Sequence, residues 1–313
     1  MPLLLMKGVD VYITNNLLEQ QFEAGCDIFL YNRILPDHCI DKLHELKDKY
    51  NFKIIVDIDD YWILEDSHPL ALEYKAIDFE KKQIYALKTA EEVITTNNYL
   101  LSEIITYNPN VHIVSNAIPK AGQFDIVRDG SKFTRLFWQG SLTHAEDISI
   151  LAPVTNNLAD ISKDIKMVMA GFNENENECH KMAMDYTAGF KHQYKLIEPK
   201  HPADYYEVYK DADICLIPLI NNRFNRCKSN LKVLEAANLG LPVICSPVGP
   251  YLDMPVLYAR STEQWISNIK KLVGSKNRQK EVGLKLKTFC DKHYNFDTVN
   301  NKRKKIFFDA CNK

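Results

Sequence analysis

Residues 228–243, KSNLKVLEAANLGLPV, set two cations and a carboxylate at helical spacing. At ~3.6 residues per turn, Lys228, Lys232 and Glu235 stand at i, i+4 and i+7 on one face, with Leu231, Val233, Leu234 and Ala237 on the other. Ser229 or Asn230 is suited to cap the first turn, where unpaired backbone N–H groups favour an anion. Lys228 places a positive charge at that mouth and Lys232 a second one turn on. Glu235, a further turn in, can accept hydrogen bonds from sugar hydroxyls. These types suit a ligand with phosphate at one end and ribose alongside, which is a nucleoside diphosphate. The spacing equally fits a solvated face on which Lys232 and Glu235 pair for only ~0.2–0.5 kcal/mol.

A second group lies in residues 54–69, IIVDIDDYWILEDSHP. Strand alternation puts Asp57 and Asp59 on one face and Asp60 on the other, at or just past a strand end. Three carboxylates this close need a cation, hydrogen-bond donors or solvent. An Asp-x-Asp after a strand also fits a magnesium site, and with it phosphoryl transfer. Tyr61 and Trp62 suit stacking on a sugar or base, or burial in a core. His68 and Arg33, which ends FLYNR, are further polar candidates, while Asn116 suits an interdomain turn.

The elements that must position these residues alternate. CDIFLYNRIL, KIIVDIDD, EEVITTNN and VHIVSNAI predict strands, with amphipathic helices over PDHCIDKLHELKDKYN and AIDFEKKQIYALKTA between them. After the Gly-, Asp- and Ser-containing stretch 121–132 the rhythm restarts with FTRLFWQGS, IKMVMAGF, YKLIEP, ADICLIPL and LPVICS. Strand–helix alternation predicts parallel sheets covered on both faces, and the restart predicts two of them. The expected division is 1–124, 125–285 and a helical segment 286–313 that packs back towards the first domain. In such sheets ligands sit outside the carboxyl ends of the strands, so the polar residues that follow a strand matter most.

Bulk properties narrow the setting. At 313 residues, 46% hydrophobic and 26% charged, the chain reads as soluble and globular, with room for two cores. Its apolar runs fall short of the ~20 residues that span a bilayer, and no signal peptide is evident, so a cytoplasmic location is expected. Eight scattered cysteines without a CxxC pair argue against a zinc or disulfide framework. Residues 1–120 hold 11 basic and 19 acidic side chains, whereas residues 263–313 hold 13 and 5, with NNKRKK the densest cluster. That basic end fits a solvated helix face, or a peripheral contact with an anionic membrane surface or nucleic acid.

Residues 211–251, DADICLIPLINNRFNRCKSNLKVLEAANLGLPVICSPVGPY, resemble the donor-binding segment of family 4 (group 1) glycosyltransferases. AEEVITTNNYLLSEI, VHIVSNAIPK, FWQGSLTHAEDI and MVMAGF resemble other parts of that family in the same order. The resemblance spans roughly residues 25–300. It implies the α/β GT-B fold, two Rossmann-like doubly wound parallel-sheet domains facing across a cleft, with a sugar nucleotide on the second. It further implies that Glu235 holds the ribose and that Lys228 and Ser229 lie at the diphosphate, with Lys232 adding charge. Gly140 and Ser141 would let the backbone approach that diphosphate, within reach of Thr143 or His144, and residues 195–199 would meet the base.

Two departures stand out. Cys227 occupies the position of a second acidic residue, and QGSLTHAED lacks the Arg and Lys that often clamp the diphosphate, a gap that Lys228, Lys232, Arg223 or Arg226 can fill electrostatically. By the same resemblance, Asp59 or Asp60 contacts the acceptor or the transferring sugar as a catalytic candidate, and His68, which follows in the same segment, is a further catalytic candidate from its residue type. The function implied is sugar transfer from a nucleoside diphosphate sugar to an acceptor hydroxyl of a glycan, lipid-linked sugar or surface-polysaccharide precursor. It is expected to be retaining, with no tightly bound cofactor and no essential metal, though Mg can assist. Two alternatives are a phage-type DNA glycosyltransferase acting on a hydroxylated base and an inactive sugar-nucleotide-binding protein. For DNA, the acidic first domain is an unfavourable field.

Overall fold

The computed structural model describes residues 6–117, 130–171, 181, 185, 194–201 and 204–312. The expected boundary at 124/125 lies outside the described residues. Two compact units emerge: one from Met1–Ala117, Arg226–Ser229 and Phe296–Lys313, the other from Ile118–Asn225 and Asn230–Asn295.

The first unit holds a parallel sheet of β1 (Ile28–Asn32), β2 (Lys53–Ile58), β3 (Glu92–Thr95) and β4 (Val111–Ile113), in that spatial order. Because the strands follow chain order, right-handed crossovers all send their helices to the same face. Tyr31 and Ile54 accordingly meet Leu43 and Ala86 of the Asp37–Tyr50 and Phe79–Thr89 helices. The opposite face carries Leu30, Ile55 and Ile94, and it is covered by Val299, Ile306, Phe307 and Ala310 of the Phe296–Cys311 helix. Asp57 is two residues on from Ile55, which turns it towards that same helix. There burial raises its carboxyl to about 6, against the opposing pull of Arg303.

Among the described residues the second unit has six parallel strands, β5 (Thr134–Gln139), β6 (Ile165–Ala170), β7 (Tyr194–Ile197), β8 (Ile214–Ile217), β9 (Val243–Cys245) and β10 (Leu257–Tyr258). Their spatial order β7-β6-β5-β8-β9-β10 is that of a doubly wound sheet, the first strand central and the direction of winding reversed beside it. Every residue of β5 is buried, as expected for a strand covered on both faces. Phe137 joins one core with Val233 and Leu234, while Leu136 and Trp138 join the other with Ile148 and Trp265. The short β10 is the one strand of this sheet that the sequence pattern does not disclose.

The helix after β8 departs from the amphipathic expectation. It runs Leu231–Asn238, so Lys228 and Ser229 precede it, and Asn230 is its N-cap position without a side-chain capping bond. Leu231, expected on the core side, is 40% exposed, and Glu235, expected on the polar face, is 2% exposed. Glu235 is buried because Gln139 at the end of β5 and the hydroxyls of Tyr205 and Tyr209 donate hydrogen bonds to it, partners that helical spacing does not reveal. No helix among the described residues is long and apolar enough to cross a membrane.

Candidate active site

The sheet order of the second unit reverses between β5 and β8, and their ladder ends at Phe137↔Cys215. Trp138 and Gln139 therefore continue past the last paired rung, and the Gln139 carbonyl accepts a 3.0 Å bond from the Lys232 ammonium. The same ammonium stands 5.9 Å from the centre of the Trp138 ring, a cation–π arrangement. Gly140 follows. A Cβ there would lie 2.6 Å from two Trp138 ring atoms and 3.2 Å from His144 Cδ2, so the glycine is required by its neighbours. Gly171, at φ +98°, backs onto it, and a Cβ at that position would lie 2.1 Å from the Gly140 carbonyl oxygen.

Glu235 is enclosed by donors. Its Oε2 accepts from Tyr209 Oη at 2.8 Å, Gln139 Nε2 at 3.0 Å and Tyr205 Oη at 3.1 Å. Burial raises its carboxyl to about 7, and these donors together with the Lys232 charge pull against that rise. Burial and the adjacent Glu235 charge push both tyrosine hydroxyls upward, so they remain protonated donors. Gln139 Oε1 is buried without a hydrogen-bond partner among the described residues. A ligand hydroxyl or N–H at the end of β5 would satisfy it.

The loop after β5 is tied to the loop after β8. Ser141 Oγ and Thr143 Oγ1 are 2.6 Å apart, and His144 Nδ1 is 2.9 Å from Asp147 Oδ2. Asp147 is 5% exposed, and its Oδ1 accepts from the Ile220 N–H at 2.9 Å and from Asn225 Nδ2 at 2.8 Å. Gln139, Tyr205, Tyr209, Asp147 and Asn225 are absent from the residues singled out in the sequence. Only Asp147 had a readable signal, its i+3 spacing from His144. The tyrosines come from a 3-10 segment, Tyr205–Asp211, whose placement depends on the folded sheet.

In the first unit, Arg33 is held at φ 63° just past β1, a left-handed conformation uncommon outside glycine. Its Nε lies 3.2 Å from Asp59 Oδ1 and its Nη2 2.5 Å from Asp60 Oδ2, and its carbonyl accepts from Gln83 Nε2 at 3.1 Å. The cation that Asp59 and Asp60 needed is therefore a guanidinium. Among the described residues no group of three or more His, Cys, Asp or Glu is placed to hold a metal ion. His68 is half-buried in the following turn, where its Nδ1 accepts from the Leu70 N–H at 3.1 Å. Tyr61 and Trp62, candidates for stacking on a ligand, are each only 3% exposed and pack on one another, with Trp62 edge-on to Tyr107. Lys228 and Ser229 belong to this unit by contact; Asn97 Nδ2 holds the Cys227 and Lys228 carbonyls at 2.9 and 3.0 Å.

Two parallel α/β units, one of them wound about a central first strand, define the GT-B fold. Sucrose-phosphate synthase from Thermosynechococcus elongatus superposes with a TM-score of 0.63 at 12% identity, over 93% of this chain and 76% of that one. HepE from Anabaena, in complex with UDP and glucose, superposes at 0.65 and 10% identity, over 93% and 80%. The UDP-forming α,α-trehalose-phosphate synthase from Burkholderia xenovorans, in complex with glucose-6-phosphate, gives 0.61 at 9%, over 92% and 76%. No curated protein matches the chain in sequence. Residues 134–275 match the family model described as glycosyl transferases group 1. The chain has the GT-B fold, and the part of it that matches the group 1 model lies within the second unit apart from Arg226–Ser229.

Proposed function

We propose that the protein is a glycosyltransferase that moves a sugar from a nucleoside diphosphate sugar to an acceptor hydroxyl of a glycan, lipid-linked sugar or polysaccharide precursor. The observation that carries this reading is the polar cluster of Gln139, His144, Lys232 and Glu235 at the β5–β8 switch point of a group 1 domain. Glu235 and the unpartnered Gln139 oxygen suit ribose hydroxyls. Gly140, Ser141, His144 and Lys232 suit the diphosphate, and by family resemblance Lys228 and Ser229 join them. Fixed cations there would stabilise the charge that develops on the departing diphosphate, with no metal required and in keeping with a retaining transfer. Asp59 and Asp60 are assigned to the acceptor or the transferring sugar by the same resemblance, with Arg33 holding the two carboxylates, and His68 in the following turn is a further catalytic candidate.

The test is thermal stability against UDP-, GDP-, ADP- and CMP-sugars, with and without Mg, on wild type and Lys232→Ala. A ligand at 100 times its Kd stabilises the folded state by ~2.7 kcal/mol. One nucleotide is expected to raise Tm without Mg, with a smaller rise in the variant. No shift with any of the four would overturn the reading.

A further inference from the structure

The contacts of Asp147 are unusual for a surface loop. Its carboxylate is buried, one oxygen takes two donors from the segment after β8, and the other faces the His144 ring. Asn225 is itself fixed, donating 3.0 Å to the Ile220 carbonyl while its backbone N–H donates 2.8 Å to Asn222 Oδ1. The carboxylate thus bolts the β5 loop to the β8 loop across the switch point, and it presents one oxygen to one imidazole nitrogen. An ionised carboxylate only accepts, so the proton between the pair sits on His144 Nδ1. Nε2 is then the nitrogen directed elsewhere. His144 Cδ2, bonded to Nε2, is 3.2 Å from where a Gly140 Cβ would stand, which sets that ring edge along the glycine at the end of β5.

We infer that Asp147 is a positioning residue. It fixes His144 with Nδ1–H towards itself, so that Nε2, protonated in the imidazolium form, meets the diphosphate of the donor. This rests on the sugar-nucleotide reading above and deepens it: the loop without the expected Arg and Lys supplies its cation through a histidine held by a buried carboxylate. The charged groups that the contacts place at the end of β5 and its loop are Asp147, in the ring's own turn, and Lys232, which donates to the Gln139 carbonyl. Asp147 is the one in hydrogen-bond contact, and a carboxylate so placed favours the imidazolium.

The test is ¹⁵N NMR of the imidazole nitrogens in the full chain, with the His144 signals assigned by their loss in His144→Gln. Wild type is expected to show a protonated Nδ1. In Asp147→Asn the amide oxygen can still accept from Ile220 and Asn225, while its NH₂ faces the ring and moves the proton to Nε2. UDP, GDP or ADP, whichever raises Tm, and inorganic pyrophosphate are expected to shift the wild-type Nε2 resonance alike. The Kd of that nucleotide is expected to rise on the order of tenfold in Asp147→Asn. An unprotonated wild-type Nδ1 overturns the inference whatever the chain binds. A nucleotide that raises Tm but leaves the His144 signals unmoved overturns it too, with the sugar-nucleotide reading intact.

Discussion

At the scale of single residues, Glu235 shows how a spacing can be read correctly while its environment is not. The i, i+4, i+7 pattern picked out Glu235 and Lys232, and both reach the end of β5. The pattern carried no information on Tyr205 and Tyr209, which close over the carboxylate from a segment ~30 residues earlier in the chain. The enclosure has a pH signature. Unfolded, Glu235 titrates near 4.5; folded, burial holds it at about 7. Between those values the folded state keeps a proton that the unfolded state has lost, so stability falls as pH rises from about 4.5 to about 7 and then levels. The size is on the order of 3 kcal/mol. Glu235→Gln is neutral throughout, so urea denaturation at pH 5, 6, 7 and 8 should find the variant gaining on wild type as pH rises. Parallel curves would show that this carboxyl titrates normally.

At the scale of elements, nine of the ten strands among the described residues were legible because each is a short apolar run followed by polar residues, the pattern a parallel sheet imposes. The facing of Glu235 in the 231–238 helix was not, because it is set by partners from β5 and the Tyr205–Asp211 segment, distant in sequence. Nor was the docking of that helix, which depends on Gly283. That residue sits mid-helix in Lys276–His293, and a Cβ there would lie 2.0 Å from the Gly240 carbonyl oxygen, in the turn that ends the Leu231–Asn238 helix. Helix propensity alone would reward alanine at this position by ~1 kcal/mol. The clash is with backbone, which cannot swing aside, and overpacking of this kind carries ~1–3 kcal/mol. The clash should win. Gly283→Ala is expected to lower Tm and to weaken nucleotide binding through the displaced Lys232–Glu235 helix; a raised Tm would show that the two helices separate freely.

At the scale of the whole molecule, the restart of the strand–helix rhythm made the two sheets legible, and the C-terminal helical segment was expected to pack back towards the first domain, but the charge of that segment hid which of its residues meet the sheet. NNKRKK reads as a solvated or surface-docking stretch. In the structure Lys302 and Lys305 are exposed as that reading requires, whereas Arg303 is buried near Asp57 and Lys304 donates to the Lys7 carbonyl. The helix carrying them is structural because a sheet wound in chain order places all its crossover helices on one face and leaves the other apolar and bare. Val299, Ile306, Phe307 and Ala310 cover that face, and Phe307 is 7% exposed. Phe307→Ala should therefore remove ~3–5 kcal/mol from the first unit, a typical loss for a buried phenylalanine. Amide hydrogen exchange is the suitable measurement, since it reports local stability strand by strand. Protection should fall at Ile55 and Ile94, whose side chains lie beneath the helix, while Val168 and Ile244 in the second unit keep theirs. Unchanged protection at Ile55 and Ile94 would mean that the first sheet is stable with one face uncovered, against the expectation for a parallel sheet.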